Sequence, residues 1–264
     1  MTVNLRSPVV AVVGHVDHGK SSILDKIRGT AIVKTEAGGI TQAISSTLVP
    51  IEAVKKITGK LLTNLKLDLK IPGLLFIDTP GHAAFNNLRK RGGNLADIAV
   101  LVIDIHEGIK EQTIEAINIL KNYKTPFLIA ANKIDLIPGY KHHAGSLLDN
   151  ISKQPEHTKQ ELDAMLYNLV GKLYSLGFES ERFDRVNDYR KQLAIVPLSA
   201  RTGDGIAELL MVITGLAQRY LEESLRINVS GPVKGVILEI KEERGLGKTL
   251  DAIIYDGTIN VNDI

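Results

Sequence analysis

The sequence predicts an α/β fold: a doubly wound, mostly parallel sheet with helices on both faces, then an incomplete antiparallel β-barrel. Five short runs, Ser7–Val13, Gly73–Ile77, Ala99–Ile103, Pro126–Ala131 and Leu193–Leu198, are apolar almost throughout rather than alternating. Such runs belong to strands covered on both faces, as parallel strands are. Amphipathic segments lie between them, and their spacing predicts helices over about 20–28, 83–93, 110–122, 157–176 and 204–222, the βαβ alternation that builds a parallel sheet. From about Ile227 the pattern turns to the alternation of half-exposed strands.

The first strand stops at Gly14, and Gly14-His15-Val16-Asp17-His18-Gly19-Lys20-Ser21 fits the phosphate-loop (P-loop) pattern G-x-x-x-x-G-K-[ST]. Ser21–Ile27 then reads as a helix. Strand, glycine-bounded loop and helix is the context that pattern needs. Gly14 and Gly19 let the backbone curl so that successive N–H groups face phosphate oxygens, and the helix N-terminus adds partial positive charge. Lys20 is expected to reach the β- and γ-phosphates, and the Ser21 hydroxyl to ligate Mg²⁺.

Glu36-Ala37-Gly38-Gly39-Ile40-Thr41-Gln42 follows. A threonine in a glycine-flanked loop can offer its hydroxyl to Mg²⁺ only while a γ-phosphate holds the loop, which makes a nucleotide-driven switch of Thr41. The run Gly73–Ile77 then delivers Asp78 of Asp78-Thr79-Pro80-Gly81-His82. Asp78 is placed to hold a magnesium-bound water, and Gly81 to turn its N–H onto the γ-phosphate. His82 stands where small switch GTPases carry a water-orienting glutamine. An imidazole beside a phosphate is favoured in its charged form, so His82 reads as a catalytic group that positions water and stabilises charge.

Ala99–Ile103 and Pro126–Ala131 are the next two strands, the second ending at Asn132-Lys133-Ile134-Asp135. The Asp135 carboxylate matches the ring N–H and exocyclic amine of guanine. Adenine lacks that pair and would leave the carboxylate desolvated and unpaired, which such sites reject by about 10⁴-fold. The Lys133 stem can lie over the base, and Ser199-Ala200, after Leu193–Leu198, puts a backbone N–H near the guanine oxygen. The residues expected to bind GTP are Gly14, Val16, Asp17, His18, Gly19, Lys20, Ser21, Ser22, Gly81, Asn132, Lys133, Asp135, Ser199, Ala200 and Arg201.

Between the base-reading residues and Ser199 lies an insertion, about 137–192. Leu162, Met165, Leu166, Leu169, Val170, Leu173 and Leu176 fall at helical spacing within it, a stripe expected to pack on its own domain. The GTP-binding domain is therefore drawn over 1–226 and the barrel over 227–264. Val233–Ile240 and Leu250–Tyr255 read as strands joined near Arg244–Gly247, with a turn at Asp256-Gly257. Those last 38 residues are too few for a barrel whose strands run to about 5–6 residues each, so the barrel is expected to be truncated.

Composition excludes several classes. With 32 Lys and Arg against 30 Asp and Glu, the net charge of +2 is too small for broad nucleic-acid coating. Arg89, Lys90 and Arg91 form the best local basic cluster, equally readable as a solvated helix end. The chain has no cysteine, which rules out disulfides and thiolate zinc sites. No apolar run nears the roughly 20 residues of a membrane span, and the early start of the first strand leads us to expect no signal peptide.

Gly14–Ser21 and Asp78–His82 resemble the translational GTPases, the elongation and initiation factors. Within that group, Glu36–Gln42 and Asp78–Phe85 are similar to initiation factor two and its archaeal and eukaryotic counterpart, initiation factor 5B; Asn87–Gly92 and the insertion look more like the 5B branch. The resemblance runs from about Val9 to the end of the chain. It implies a cytoplasmic, monomeric GTPase of translation initiation that needs Mg²⁺. In its GTP form such a factor promotes ribosomal subunit joining with initiator tRNA in place, and the ribosome stimulates the hydrolysis that releases it. The tRNA would be held by domains absent from this chain, and no membrane is involved. The resemblance also implies a monovalent cation, K⁺ or Na⁺, on Asp17 and the Gly39 carbonyl; a capping role for Asp17 is the other reading. An elongation factor, or a GTP-binding scaffold that does not hydrolyse, are the alternative functions.

Overall fold

A computed structural model describes residues 4–34, 42–43, 46–64, 67–78, 96–243, 245 and 247–260. The expected helix 83–93, the basic cluster Arg89–Arg91, and Gly39, Thr41, Gly81 and His82 lie outside the described residues.

The strands are β1 (Val9–Gly14), β2 (Gln42–Ala43), β3 (Ser46–Pro50), β4 (Gly73–Asp78), β5 (Ile98–Asp104), β6 (Phe127–Asn132), β7 (Glu179–Arg182) and β8 (Gln192–Pro197). They form one sheet in the order β2-β3-β4-β1-β5-β6-β8-β7. From β4 to β7 every pairing is parallel; β3 joins β4 antiparallel, and the two-residue β2 pairs antiparallel outside it. All seven residues of β5 and all six of β6 are buried. Because successive side chains point to opposite faces, this requires cover on both sides of the sheet. The helices α1 (Lys20–Lys34), α2 (Ile51–Thr58), α3 (Lys60–Asn64), α4 (Glu111–Asn122), α5 (Leu147–Ser152), α6 (Glu156–Ser175) and α7 (Ile206–Tyr220) supply it. The first three and α7 pack on one another, whereas α4 lies against β1 and β5. Strand order reverses between β1 and β5, and sheets of this class bind ligands at the carboxyl ends of strands at such a reversal.

Helix α1 runs six residues past its expected end at 28, through Gly29 to Lys34. A Cβ at Gly29 would meet nothing, so the helix crosses it on the surface while Ile27 and Ala31 stay in the core. In the insertion, Leu162, Leu166, Leu169 and Leu173 are buried, with Met165, Val170 and Leu176 partly so, in the same core as the sheet. The stripe therefore packs on its own domain. Tyr140 Oη and His142 Nδ1 reach Asp204 at 2.9 and 2.8 Å, and the Leu147 N–H donates to Glu208 at 2.7 Å, fixing the insertion to the start of α7.

Beyond α7, Leu5 bridges Arg226 and the Ile227 N–H donates to the Asn4 carbonyl at 3.0 Å. The expected barrel strands are present as an antiparallel ribbon, β9 (Lys234–Glu243) and β10 (Gly247–Asp256). Ile253 of β10 is buried against Val9 and Ile77.

Candidate nucleotide site

The loop after β1 owes its shape to three residues with left-handed or mirror-region backbone: Gly14 (φ 146°), Asp17 (φ 63°) and Gly19 (φ 91°). Any Cβ at Gly14 would strike the Val102 carbonyl of the adjacent strand, and one at Gly19 the Asn132 amide. Only glycine allows that approach. The Lys20 ammonium donates to the Gly14 and His15 carbonyls at 3.0 and 2.7 Å, folding back over the loop. Burial lowers its pKa, and the Asp78 and Asp17 carboxylates work the other way. Val16 and Asp17 stand exposed at the loop tip, and Ser21 and Ser22 are exposed at the start of α1. Ser21 Oγ donates to Asp78 Oδ2 at 3.3 Å. A hydroxyl from the first turn of α1 and a carboxylate from the end of β4, converging at a helix N-terminus, are the hard oxygen donors Mg²⁺ takes while keeping waters and substrate phosphates as further ligands. The residues present fit that ion.

Asn132, at the end of β6 and 2% exposed, joins two loops. Its Nδ2 donates to the His18 carbonyl at 2.9 Å, and its Oδ1 accepts the Ala200 N–H at 3.0 Å. The 199–203 loop closes on itself: Ser199 N donates to the Asp204 carbonyl, and Thr202 N to Ser199 Oγ. The backbone N–H groups of Ser199 and Ala200, from which one was expected near the guanine oxygen, are thus both engaged within the protein. Ala200 can face a base only by sharing its N–H with Asn132. The Arg201 carbonyl accepts from Lys26 of α1 at 3.2 Å. Lys133 adopts the left-handed conformation (φ 72°), and half-buried Asp135 follows in the 3₁₀ turn Ile134–Leu136. Fold and hydrogen bonds thus bring the phosphate loop, Asp78, Asn132–Asp135 and Ser199–Arg201 to one edge of the sheet.

The sequence reading missed the turn after β5. Asp104, 3% exposed, pairs with Lys133 Nζ at 2.8 Å and accepts the His106 N–H at 2.9 Å. Burial opposes its charge, yet Lys133 and His106 hold its pKa below the usual carboxylate value. The signal was an aspartate closing a wholly apolar strand. His18, counted among the residues expected to bind nucleotide, turns its side chain inward. It is fully buried, with Nδ1 3.4 Å from the Val102 carbonyl and Nε2 3.8 Å from the Glu107 carboxylate. Its side chain is a strut under the loop, and its backbone carbonyl accepts from Asn132.

Burial lowers the His18 pKa despite the Val102 carbonyl and nearby carboxylates. The unfolded chain therefore takes up this proton first, and stability falls as pH drops below about 6.5 toward the folded value. His18→Gln is expected to flatten the pH dependence of thermal unfolding between about pH 6.5 and 5. Asp104, with its lowered pKa, loses its contribution only as pH falls below about 4. An unchanged acid limb in the variant would assign that slope to other groups.

Residues 5–219 match the family profile of the elongation factor Tu GTP binding domain. The chain belongs to that family of GTP-binding domains, the class its sheet and loops define. It is 58% identical over 260 residues to the probable translation initiation factor IF-2 of Methanopyrus kandleri, covering 98% of this chain and 44% of that protein. The Thermococcus sibiricus protein of the same description is 57% identical, again over 98% of this chain and 44% of the relative. The structure of GDP-bound aIF5B from Aeropyrum pernix aligns with a TM-score of 0.90 at 53% identity, covering 96% of this chain and 42% of that one. Within the family, then, this is a translational GTPase G domain of the IF-2/aIF5B type. The chain spans less than half the length of the curated relatives it matches.

Proposed function

We propose that the protein is a GTPase of translation initiation, whose GTP form promotes ribosomal subunit joining with initiator tRNA in place and whose hydrolysis of GTP to GDP and phosphate releases it. The single observation that carries the reading is Asn132, which ties the phosphate loop to the 199–203 loop through His18 and Ala200. A side chain so placed makes one nucleotide site of two loops remote in sequence. Names of the IF-2 and aIF5B relatives supply the initiation role.

In this reading the curled loop from Gly14 through Val16, Asp17 and Gly19, with the α1 N-terminus at Ser21 and Ser22, presents N–H groups to the phosphates. Lys20 exchanges its carbonyl partners for β- and γ-phosphate oxygens. Asp135 reads the guanine edge, Lys133 covers the ring, and Ser199, Ala200 and Arg201 line the remaining side. Mg²⁺, when bound, neutralises phosphate charge; Ser21, Thr41 and, through water, Asp78 would hold it. Gly81 would donate its N–H to the γ-phosphate, and His82 would orient the attacking water. Its oxygen bonds to the γ-phosphorus as the bond to the β,γ-bridging oxygen breaks; GDP departs and the water's protons end on phosphate and solvent. Asp17, exposed at the loop tip in a left-handed conformation, and the Gly39 carbonyl would hold K⁺ or Na⁺. The protein acts as a cytoplasmic monomer; among the described residues no helix is long and apolar enough to cross a membrane.

The test is phosphate release by the full-length protein with and without ribosomes. By analogy with activated GTPases, stimulation is expected to approach about 10⁵-fold. Tight GTP binding with no ribosome-stimulated release would make the protein a nucleotide-binding scaffold instead.

A further inference from the structure

We infer that the turn after β5 is a positioning element for base recognition: Asp104 and His106 lock Lys133 so that its stem forms a fixed wall of the guanine slot. The inference rests on the reading that Lys133 covers the base. Lys133 is a non-glycine residue at φ 72°, a conformation that persists only where the surroundings over-determine it. Both ends of the residue are held. Its ammonium sits 2.8 Å from Asp104 Oδ2, and its carbonyl 3.1 Å from His106 Nε2. Asp104 is in turn fixed by the His106 N–H at 2.9 Å.

The ion pair is not needed to join the strands that carry it. β5 and β6 already pair from Ala99–Phe127 through Asp104–Asn132. What the pair does restrain is a long, rotamer-rich side chain beside the base-reading Asp135. Pinning that side chain before ligand arrives removes an ordering cost from binding. If the ammonium swung away, the buried Asp104 carboxylate would be left without its cation, so the locked rotamer is also the one the protein resists leaving. The wall recognises a purine plane rather than its edge. Its loss should weaken all guanine-like ligands equally.

The experiment measures affinities of the full-length protein for GDP and IDP, the latter lacking the exocyclic amine. Asp104→Asn is expected to weaken both by the same factor, on the order of tenfold. The GDP-to-IDP ratio should stay as in wild type. His106→Ala, an exposed change that leaves the core alone, should act in the same way but less. Asp104→Asn combined with Lys133→Met should bind no worse than Lys133→Met alone, because Asp104 acts through Lys133. Additive losses, or a fall in thermal stability with unchanged affinities, would overturn the inference. If Lys133→Met weakens binding but neither Asp104→Asn nor His106→Ala does, the inference fails and the placement of Lys133 survives. If Lys133→Ala, which removes the stem itself, leaves affinity unchanged, both fall together.

Discussion

Asp135→Asn is expected to cost GTP affinity by about 10²–10⁴-fold and to turn preference toward xanthosine triphosphate. Guanine presents two donors on the edge that a carboxylate there would read; xanthine has an oxygen where guanine has its amine and needs a donor opposite it. An asparagine supplies that donor. The residue follows the left-handed Lys133 in a short 3₁₀ turn after a fully buried strand. Its backbone is thus positioned by the sheet, and the substitution should change chemistry without moving the chain. Equilibrium competition against fluorescent GDP measures both affinities. Unchanged values for GTP and xanthosine triphosphate would mean that Asp135 does not read the base.

His82→Ala is expected to leave nucleotide affinity near wild type while lowering ribosome-stimulated hydrolysis by about 10²–10⁴-fold, the range for one positioned acid–base group. Its imidazole would act on the attacking water and the transition state only, so ground-state binding is spared. His82→Gln should restore part of the rate if orientation of the water is what matters, and little if positive charge is. Single-turnover hydrolysis with ribosomes and the full-length protein checks this; a wild-type rate for His82→Ala would give water placement to the backbone or the ribosome.

Much of the site was legible because its chemistry demands particular residues. Gly14 and Gly19 are glycines because a carbonyl and an amide occupy the space a Cβ would need. Asp78 and Asn132 follow apolar strands because the sheet delivers them to its carboxyl edge. The buried strands β1, β4, β5, β6 and β8 were likewise legible, being continuous apolar runs. What escaped has physical reasons too. β3 is antiparallel to both its neighbours, β2 and β4, with alternating burial, and its Ser46-Thr47-Leu48-Val49-Pro50 offers no continuous apolar run. α2 and α3 are short, and α2 buries Ala53, Val54, Ile57 and Thr58 against a core that the sequence does not display. Most instructive are His18 and Asp104. Membership of a phosphate loop says nothing of where the His18 ring goes; the fully buried strand β5 beside it takes the ring inward to the Val102 carbonyl. Asp104 acquires its meaning only from Lys133, a partner on the next strand's loop, and no local pattern announces that pairing.

Loops remote in sequence, joined by Asn132, would make one site selective for guanine nucleotides. The most direct measurement is displacement of fluorescent GDP from this protein, in the presence of Mg²⁺, by unlabelled GTP, GDP and ATP. GTP and GDP should compete with each other closely, and ATP should fail even at about 10⁴-fold higher concentration. Displacement by ATP at concentrations comparable to GTP would rule out guanine selectivity at this site, because a carboxylate at Asp135 reading the base would find no pair of donors on adenine.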